Sequence, residues 1–297
     1  MSNASLLQVY VDGFRDNVRQ ISQQKGTKLR MCTDQFSPEA ETGNWDRLGP
    51  GEADAKTRKM ATPDTGRVWS RRTAIATPYN DAEYTEQEDP HLMLQDPNNA
   101  IVQSLGFSMG RKMDDIIIAA ALGNATNSVR ASDGSNTPTQ VALPAGQIVG
   151  DYSADISFDA ITEINEIFDN NDVDESLTRY AVIGPRQVRQ LMNLTEQTSS
   201  DYVQAQSLQN RGIVENWMGF TWIKSTRLLH PTTAQTSCLF MTQGAVGFHI
   251  PQDIITKLSE DPSTSYVWIP YAQFTAGAVR IEDEQVVMGQ FKDDSIA

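Results

Sequence analysis

Apolar residues between residues 96 and 123 recur at the spacing of one helical face. They are Ile101, Leu105, Met109, Met113, Ile116, Ile117 and Ala120. Residues three or four apart lie on the same side of a helix, so this pattern predicts one helix over residues 97–122. Asp96 suits the N-cap, Pro97 suits the first helical position, and Gly123 suits a left-handed residue just beyond the C-terminal end.

The pattern before this helix is uneven. Residues 4–25 place apolar side chains on one face and predict an amphipathic helix that ends at Gly26. Residues 27–95 show no sustained apolar period and are rich in Pro, Gly, Thr and charge. Residues 67–77 alternate β-branched or aromatic residues with arginine, which is typical of a strand. We therefore expect an extended hairpin here, which needs a neighbouring surface to be stable.

The pattern after the helix predicts a polar loop over residues 124–140 and then a compact α/β unit. Ser157 suits the N-cap of a helix over residues 158–169, and Pro185 opens a second helix directly after a buried strand. Further strands are expected at residues 179–184, 212–225, 239–250 and 264–291. The pair within 212–225 turns near Met218.

Charge is distributed unevenly along the chain. The net charge is −14, but residues 1–72 carry +3 and residues 73–297 carry −17. Opposite charges on two parts of one chain favour attraction between copies. The acidic part also argues against a body that grips nucleic acid phosphates, because such proteins present basic surfaces.

Candidate chemistry is sparse. The three histidines (His91, His230 and His249) are scattered, and we interpret them as structural or surface residues. Cys32 and Cys238 are too few for a disulfide framework or a thiolate metal site. No catalytic motif is present, no apolar run is long enough to span a membrane, and no signal peptide is recognised. We therefore predict a protein that is not an enzyme and uses no cofactor.

Acidic residues on the long helix do not form a catalytic pair. Asp114 and Asp115 are adjacent and point to different faces of the predicted helix. Arg111 lies four residues before Asp115, so an ion pair on the helix surface is expected.

Several segments together resemble the major capsid proteins of tailed bacteriophages, which have the Hong Kong 97-like fold. The segments are GRKMDDIIIAAALGNA (110–125), RYAVIGPRQVRQLM (179–192), TSSDYVQAQSLQNRGIVENWMGFTWIKS (198–225) and FTAGAVRIEDEQVVMGQF (274–291). The order of the elements along the chain agrees with this resemblance. It implies an α+β protein with an N-terminal arm, an extended β-hairpin loop, a peripheral domain with a long spine helix, and an α/β axial domain.

The resemblance also implies domain boundaries. Residues 1–30 would form the N-terminal arm and residues 31–90 the extended loop. Residues 91–150 and 241–297 would form the peripheral domain, which includes the spine helix. Residues 151–240 would form the axial domain, and the boundaries allow part of the C-terminal end to return to it.

The function implied is a shell of pentamers and hexamers that encloses double-stranded DNA in the virion and assembles in the host cytoplasm. Expected partners are a portal, a separate scaffolding protein, and in some members a decoration protein; no membrane is involved. The separate scaffold is expected because no fused acidic scaffolding segment is recognised, unless the chain is already processed. Two alternatives remain open: an encapsulin-type compartment of a cell, and a soluble α/β enzyme with an unrecognised site.

The extended loop carries the candidate subunit interface. The residues assigned to this interface are Lys56, Lys59, Arg67, Trp69, Arg71 and Arg72. A nucleic-acid stripe is the less favoured interpretation of the arginines, because their strand is otherwise mixed. Some relatives crosslink their shells through lysine and asparagine, and the two lysines lie in the corresponding loop. Exposed loop lysines are common, so crosslinking is not the favoured interpretation.

Overall fold

The computed structural model of the protein describes residues 23–53, 55–59, 61, 67–84, 98–130, 136–192, 217–264 and 267–293. Most of the amphipathic helix predicted over residues 4–25 lies outside these ranges. So do the predicted helix cap at Asp96 and Pro97, and His91.

Three α-helices are found among the described residues. They are α1 (Asn98–Leu122), α2 (Phe158–Asn170) and α3 (Pro185–Met192). The first confirms the long helix predicted over residues 97–122. Its apolar stripe is buried as expected from Leu105 to Ile117, but the last turn buries Ile118 and Ala121 rather than Ile116 and Ala120. None of the described helices is long and apolar enough to cross a membrane.

The strands form three sheets within the described part of the chain. In chain order they are β1 (Asp34–Phe36), β2 (Thr42–Leu48), β3 (Trp69–Ile75), β4 (Thr77–Ala82), β5 (Ala125–Arg130), β6 (Asn136–Val141), β7 (Ile148–Val149), β8 (Arg179–Ile183), β9 (Phe220–Lys224), β10 (Gln235–Thr242), β11 (Val246–Asp261), β12 (Val267–Arg280) and β13 (Val286–Lys292). The strand orders are β1-β11-β12-β4, β7-β13-β10-β8-β9 and β2-β3-β5-β6. Helices and strands together make the mixed α+β fold that was predicted.

The five-stranded sheet and its helices form the predicted α/β unit. The Oγ atom of Ser157 accepts a hydrogen bond from the backbone N–H of Ala160 at 3.1 Å, which confirms Ser157 as the N-cap of α2. Pro185 opens α3 directly after β8, also as predicted. Two strands of this sheet, β7 and β13, come from outside residues 151–240.

Helix α1 packs against the four-stranded sheet that contains β11 and β12. Its buried stripe meets Phe274 and Phe248 of those strands in one continuous apolar core, which also includes the α/β unit. The final segment of the chain forms β12 and β13, in the part of the chain where strands are expected over residues 264–291.

The third sheet corrects one prediction. Residues 124–140 were expected to form a polar loop, whereas β5 and β6 pair antiparallel and extend the β2–β3 hairpin. Most residues of both strands are polar, so the strands lack the clear alternation that identifies a half-buried strand. Their sheet is attached to the body through a small apolar cluster of Ala74, Ala125 and Val279, with Trp45 against it.

The chain reverses at Met218 and Gly219, where a turn was predicted. Both residues have positive φ, at 53° and 79°. Two consecutive positive φ values are typical of a type I′ turn, which favours glycine. Backbone hydrogen bonds of 3.1 Å in both directions between Trp217 and Phe220 close it. The strand expected upstream lies outside the described residues.

Candidate assembly interface

The β2–β3 hairpin presents apolar side chains to solvent. Its strands pair antiparallel from Thr42 opposite Ile75 to Leu48 opposite Trp69. Opposite residues lie on the same face of a sheet, so Leu48 and Trp69 share the outer face at the far end of the hairpin. Trp69 is 62% exposed and Leu48 is 45% exposed, and the neighbouring Val68 is also exposed. The hairpin predicted around residues 67–77 is therefore present.

An exposed ion pair crosses the same outer face. The Nε and Nη2 atoms of Arg71 donate to the two carboxylate oxygens of Asp46 at 2.6 and 3.1 Å. The hydrogen bond from Arg71 holds the pKa of the Asp46 carboxyl below its usual value. Exposed pairs of this kind contribute little to stability. Because its side chain is exposed, Arg71 is accessible to a neighbouring subunit.

Arg72 does not belong with these exposed residues. Its side chain is only 2% exposed, and Nη2 donates to Oδ2 of Asp283 at 2.6 Å within the same chain. Alternate residues of a strand point to opposite faces, so Arg71 faces solvent and Arg72 faces the body. The prediction that Arg72 contacts another subunit is therefore wrong. Burial lowers the pKa of its guanidinium, and the Asp283 charge opposes that effect.

Asp283 joins Arg72 to a second buried arginine. The Nε atom of Arg280 donates to Oδ1 of Asp283 at 2.6 Å. The other nitrogens of Arg280 donate to carbonyl oxygens of Ala121 at 3.0 Å, Gly123 at 2.6 Å and Val141 at 3.1 Å. We call Arg72, Asp283 and Arg280 the hairpin anchor, because they tie β3 to the C-terminal end of α1.

The anchor also explains the end of the long helix. Many helices end with a glycine in the left-handed conformation, and the backbone N–H groups of that turn then satisfy the last carbonyl oxygens of the helix. Here the guanidinium of Arg280 binds the carbonyl oxygens of Ala121 and Gly123 instead. Gly123 is not among the described glycines with positive φ, so the left-handed conformation predicted for it is wrong.

A second buried carboxylate holds the segment before β1 onto α1. The Oδ1 atom of Asp114 accepts hydrogen bonds from Oγ1 of Thr27 at 2.6 Å and from the backbone N–H groups of Lys28 and Leu29 at 3.0 and 3.2 Å. The segment crosses the helix closely, because a Cβ on Gly110 would lie 2.7 Å from the backbone of Gly26. Asp114 therefore positions the chain that leads into the hairpin.

The ion pair predicted between Arg111 and Asp115 does not form. Asp115 accepts a hydrogen bond from Nε of Arg227 at 2.8 Å. Arg111 donates instead to Oε1 of Gln23 at 2.7 Å. Adjacent Asp114 and Asp115 serve different partners, so the prediction that they do not converge on one site is confirmed.

The remaining predicted residues lie between β2 and β3, at the tip of the hairpin. Lys56, Lys59 and Arg67 are all exposed. Lys59 has a positive φ of 65° in a turn. Neither lysine forms a salt bridge with any described residue of its own chain.

Other titratable side chains, those of His249, Cys32 and Cys238, are buried within the fold. The ring of His249 is buried between the carbonyl oxygens of Phe36 and Ala40, at 3.1 and 2.8 Å. Burial raises the pKa values of Cys32 and Cys238 to about 12, which keeps both thiols protonated. Within the described ranges, no group of three or more His, Cys, Asp or Glu side chains is arranged to hold a metal ion.

Sequence reasoning missed the partners that form the anchor. In the sequence Arg72 stands out by its charge in an arginine-rich strand, whereas nothing distinguishes Asp283 from the other acidic residues of the chain. They are 211 positions apart, so no local pattern links them. No pattern in the sequence indicates the structural roles of Arg280 and Asp114.

Comparison with known proteins gives a consistent result. The sequence profile of a family described as phage capsid protein matches residues 6–293. A search of curated proteins finds no match. The fold is similar to a capsid structure of cyanophage P-SCSP1u, with a TM-score of 0.72 and 13% identity over 97% of this chain and 94% of that chain.

Two further solved structures are equally similar. A Mycobacterium phage Che8 chain has a TM-score of 0.72 and 11% identity, over 95% of this chain and 97% of that chain. The capsid of Ralstonia phage GP4 has a TM-score of 0.72 and 10% identity, over 97% of each chain. These likenesses confirm the predicted α+β fold of the Hong Kong 97-like class.

Proposed function

Because the chain belongs to the phage capsid protein family, we propose that it is the major capsid protein of a tailed bacteriophage. Its copies assemble into pentamers and hexamers of an icosahedral shell that encloses double-stranded DNA. The observation that carries this proposal is a hairpin with an apolar outer face, held to the body by a buried ion cluster. Exposed apolar side chains in one patch are typical of a surface that another protein covers.

The proposed interface lies on the exposed residues of the hairpin and its tip. They are Lys56, Lys59, Arg67, Trp69 and Arg71. The buried anchor supports them from within the subunit, since it fixes the strand that carries Trp69 and Arg71. A contact between one subunit's hairpin and a different surface of the next is heterologous, and such contacts close into rings.

The proposed domain division follows the resemblance. Residues 1–30 form the N-terminal arm, residues 31–90 the extended loop, and residues 151–240 the axial domain. The peripheral domain contains residues 91–150 and 241–297. Strand β13 lies in the same sheet as β8 and β9, which supports a return of the C-terminal end to the axial domain.

The proposed partners follow from a shell of this kind. A separate scaffolding protein and a portal act during assembly in the host cytoplasm, and a decoration protein is a further candidate partner of the finished shell. The net charge of −14 supports a shell that encloses DNA without sequence-specific binding, because acidic surfaces repel phosphates. The function is mechanical and not enzymatic.

The test is to express the chain alone and with its neighbouring genes, then measure particle mass by light scattering and particle shape by negative-stain electron microscopy. Megadalton shells, or rings of five and six subunits, are expected. A protein that stays monomeric under both conditions contradicts the proposal. Terminase and portal genes beside the gene distinguish a phage capsid from an encapsulin.

The proposed interface at the apolar outer face of the hairpin has its own test. Trp69→Ser removes the largest exposed side chain of the hairpin and should reduce the yield of shells. Phe158→Ser is the matched control, because Phe158 is also an exposed aromatic residue but lies at the start of α2. Equal shell yields for the two variants would contradict an interface at the hairpin.

A further inference from the structure

A cleft of about 1050 Å³ lies beside the far half of β2, next to the loop that joins β2 to β3. One wall is formed by residues of β2 with the following Gly49 and Pro50, and the other wall is the loop after α2 together with the turn between β12 and β13. Trp45, Val173 and Ile281 supply apolar surface to it. The cleft is open to solvent and has the size of a site for a short peptide segment.

Acidic side chains dominate the lining of this cleft. They are Asp34, Asp46, Asp172, Asp174, Glu282 and Glu284, whereas Arg47 is the one basic side chain that lines it among the described residues. Arg71 pairs with Asp46, and Arg47 lies 3.9 Å from Glu284. The remaining four carboxylates have no salt-bridge partner among the described residues.

Neutral groups hold three of these four carboxylates in place. Asp34 accepts a hydrogen bond from the indole N–H of Trp45 at 2.8 Å. Glu282 accepts one from Gln285 at 2.8 Å, and Asp174 accepts one from the backbone N–H of Ser176 at 2.8 Å. The bonds to Ser176 keep the pKa of Asp174 below its usual value, so this group is charged at neutral pH. The cleft therefore presents fixed negative charge.

The tip of the same hairpin has the opposite charge. Lys56, Arg58 and Lys59 lie within four consecutive positions and are all exposed. None of them forms a salt bridge with a described residue of its own chain. Three exposed cations in this loop complement a cleft in which four carboxylates have no salt-bridge partner among the described residues.

We propose that the basic tip of one subunit, Lys56, Arg58 and Lys59, binds in the acidic cleft of a second copy of this chain. This inference rests on the proposed function and identifies the surface that receives the hairpin. Tip and cleft are different surfaces, so the contact is heterologous and repeats from subunit to subunit around a ring. The occupant of the cleft is a peptide segment with closely spaced cations.

Crosslinking tests the contact directly. Shells are assembled from an equal mixture of ¹⁵N-labelled and unlabelled chains, treated with a water-soluble carbodiimide, and digested for mass spectrometry. The reagent joins a lysine amine to a carboxylate in direct contact. Mixed-isotope links from Lys56 or Lys59 to Asp172, Asp174 or Glu282 are expected. Links from these lysines only to carboxylates outside the cleft, or links from Lys25 or Lys28 into the cleft, overturn the proposal.

Charge exchange gives a second, independent test. Lys56→Glu with Arg58→Glu and Lys59→Glu should lower the yield of particles about tenfold or more at ~0.1 M salt, because the tip then repels the cleft. Asp172→Lys with Asp174→Lys and Glu282→Lys, added to the same chain, should restore most of that yield. Circular dichroism establishes that each variant folds.

The matched control introduces the same three changes of charge on a different surface of the subunit. Asp159, Glu163 and Glu166 are exposed on α2, and their replacement by lysine should not restore assembly of the tip variant. Equal rescue by this control, or no loss of yield in the tip variant, overturns the proposal. Wild-type chains are measured first, and their failure to form particles contradicts the proposed function instead.

Discussion

The five-stranded sheet and the hairpin sheet are attached to the molecule in different ways. The five-stranded sheet contributes Phe220, Phe240 and Leu239, all without exposed surface, to the main apolar core. The hairpin sheet contributes little more than Ala74 and Ala125 to its own small cluster. Apolar burial therefore holds the first sheet, whereas the buried charges of the anchor hold the second.

The two attachments differ in what they specify. Apolar burial is non-directional and stabilises in proportion to area. A buried ion pair adds little net stability, but breaking it by removing one partner is costly. We infer that the hairpin anchor sets the direction of the hairpin more than it stabilises the subunit. Four predictions separate these roles.

The largest effect is expected in the core of the five-stranded sheet. Phe240→Ala should lower the free energy of unfolding by about 3–5 kcal/mol, because the buried ring packs against Phe220 and Trp222 and its removal leaves a cavity. Urea unfolding followed by circular dichroism measures this loss. Phe240→Leu, which leaves a smaller cavity, should lose less. If Phe240→Ala destabilised only the hairpin sheet, the conclusion that apolar burial holds the five-stranded sheet would be contradicted.

The anchor should respond locally to loss of its carboxylate. Asp283→Asn leaves the guanidinium groups of Arg72 and Arg280 buried without a counter-charge, at a cost of about 3 kcal/mol. Hydrogen exchange should accelerate in β2 and β3 and stay unchanged in β8 and β10.

The control for this variant is Arg72→Met, which leaves the pair of Arg280 and Asp283 balanced. It should cost no more than about 1 kcal/mol. If Arg72→Met costs as much as Asp283→Asn, the anchor acts through each separate contact and not through charge balance.

An effect of intermediate size on stability is expected at two glycines of α1. Gly110→Ala should destabilise by about 1–3 kcal/mol, because the new methyl group would lie 2.7 Å from the backbone of Gly26. Gly106→Ala is the matched control, since a Cβ there meets no atom within 4 Å and the change should stabilise the helix by up to about 1 kcal/mol. Thermal unfolding of both variants measures the difference. Effects of the same sign would contradict the close crossing at Gly110.

The smallest effect is expected at an exposed ion pair. The hydrogen bond from Arg30 holds the pKa of Asp253 below its usual value. A lowered pKa contributes stability above the ordinary Asp value of about 4, and that contribution is lost as the pH falls through the lowered value. The difference in stability between wild type and Arg30→Met should therefore be below about 1 kcal/mol at pH 6 and vanish towards pH 2. A difference that grows on acidification would contradict this sign.

The contrast between the regions also explains what could be predicted from the sequence. The elements of the α/β unit follow local rules, such as the cap at Ser157 and the first-turn proline at Pro185. Strands β5 and β6 could not be predicted, because they bury little and most of their residues are polar. The long helix was recognised from its apolar period, but its C-terminal cap depends on Arg280, which lies far away in the chain.

The candidate interface was predictable only in part. The sequence shows which residues of the hairpin are charged or aromatic, and the structure agrees that Trp69, Arg71 and the tip lysines are exposed. It does not show that Arg72 is buried, because that depends on the face of β3 that meets Asp283. Only the tertiary fold determines which face of an arginine-rich strand is covered.

The position of β13 has a consequence for the order of events during synthesis. This strand lies between β7 and β10, so an inner position of the five-stranded sheet is filled only by residues 286–292. The ribosome makes all the neighbours of β13 before it makes β13 itself. Until then the edge of β10 and apolar positions such as Phe240 have no cover from Val287. The five-stranded sheet therefore stays incomplete until residues 286–292 have been made, and the edge of β10 can pair with the wrong strand until then.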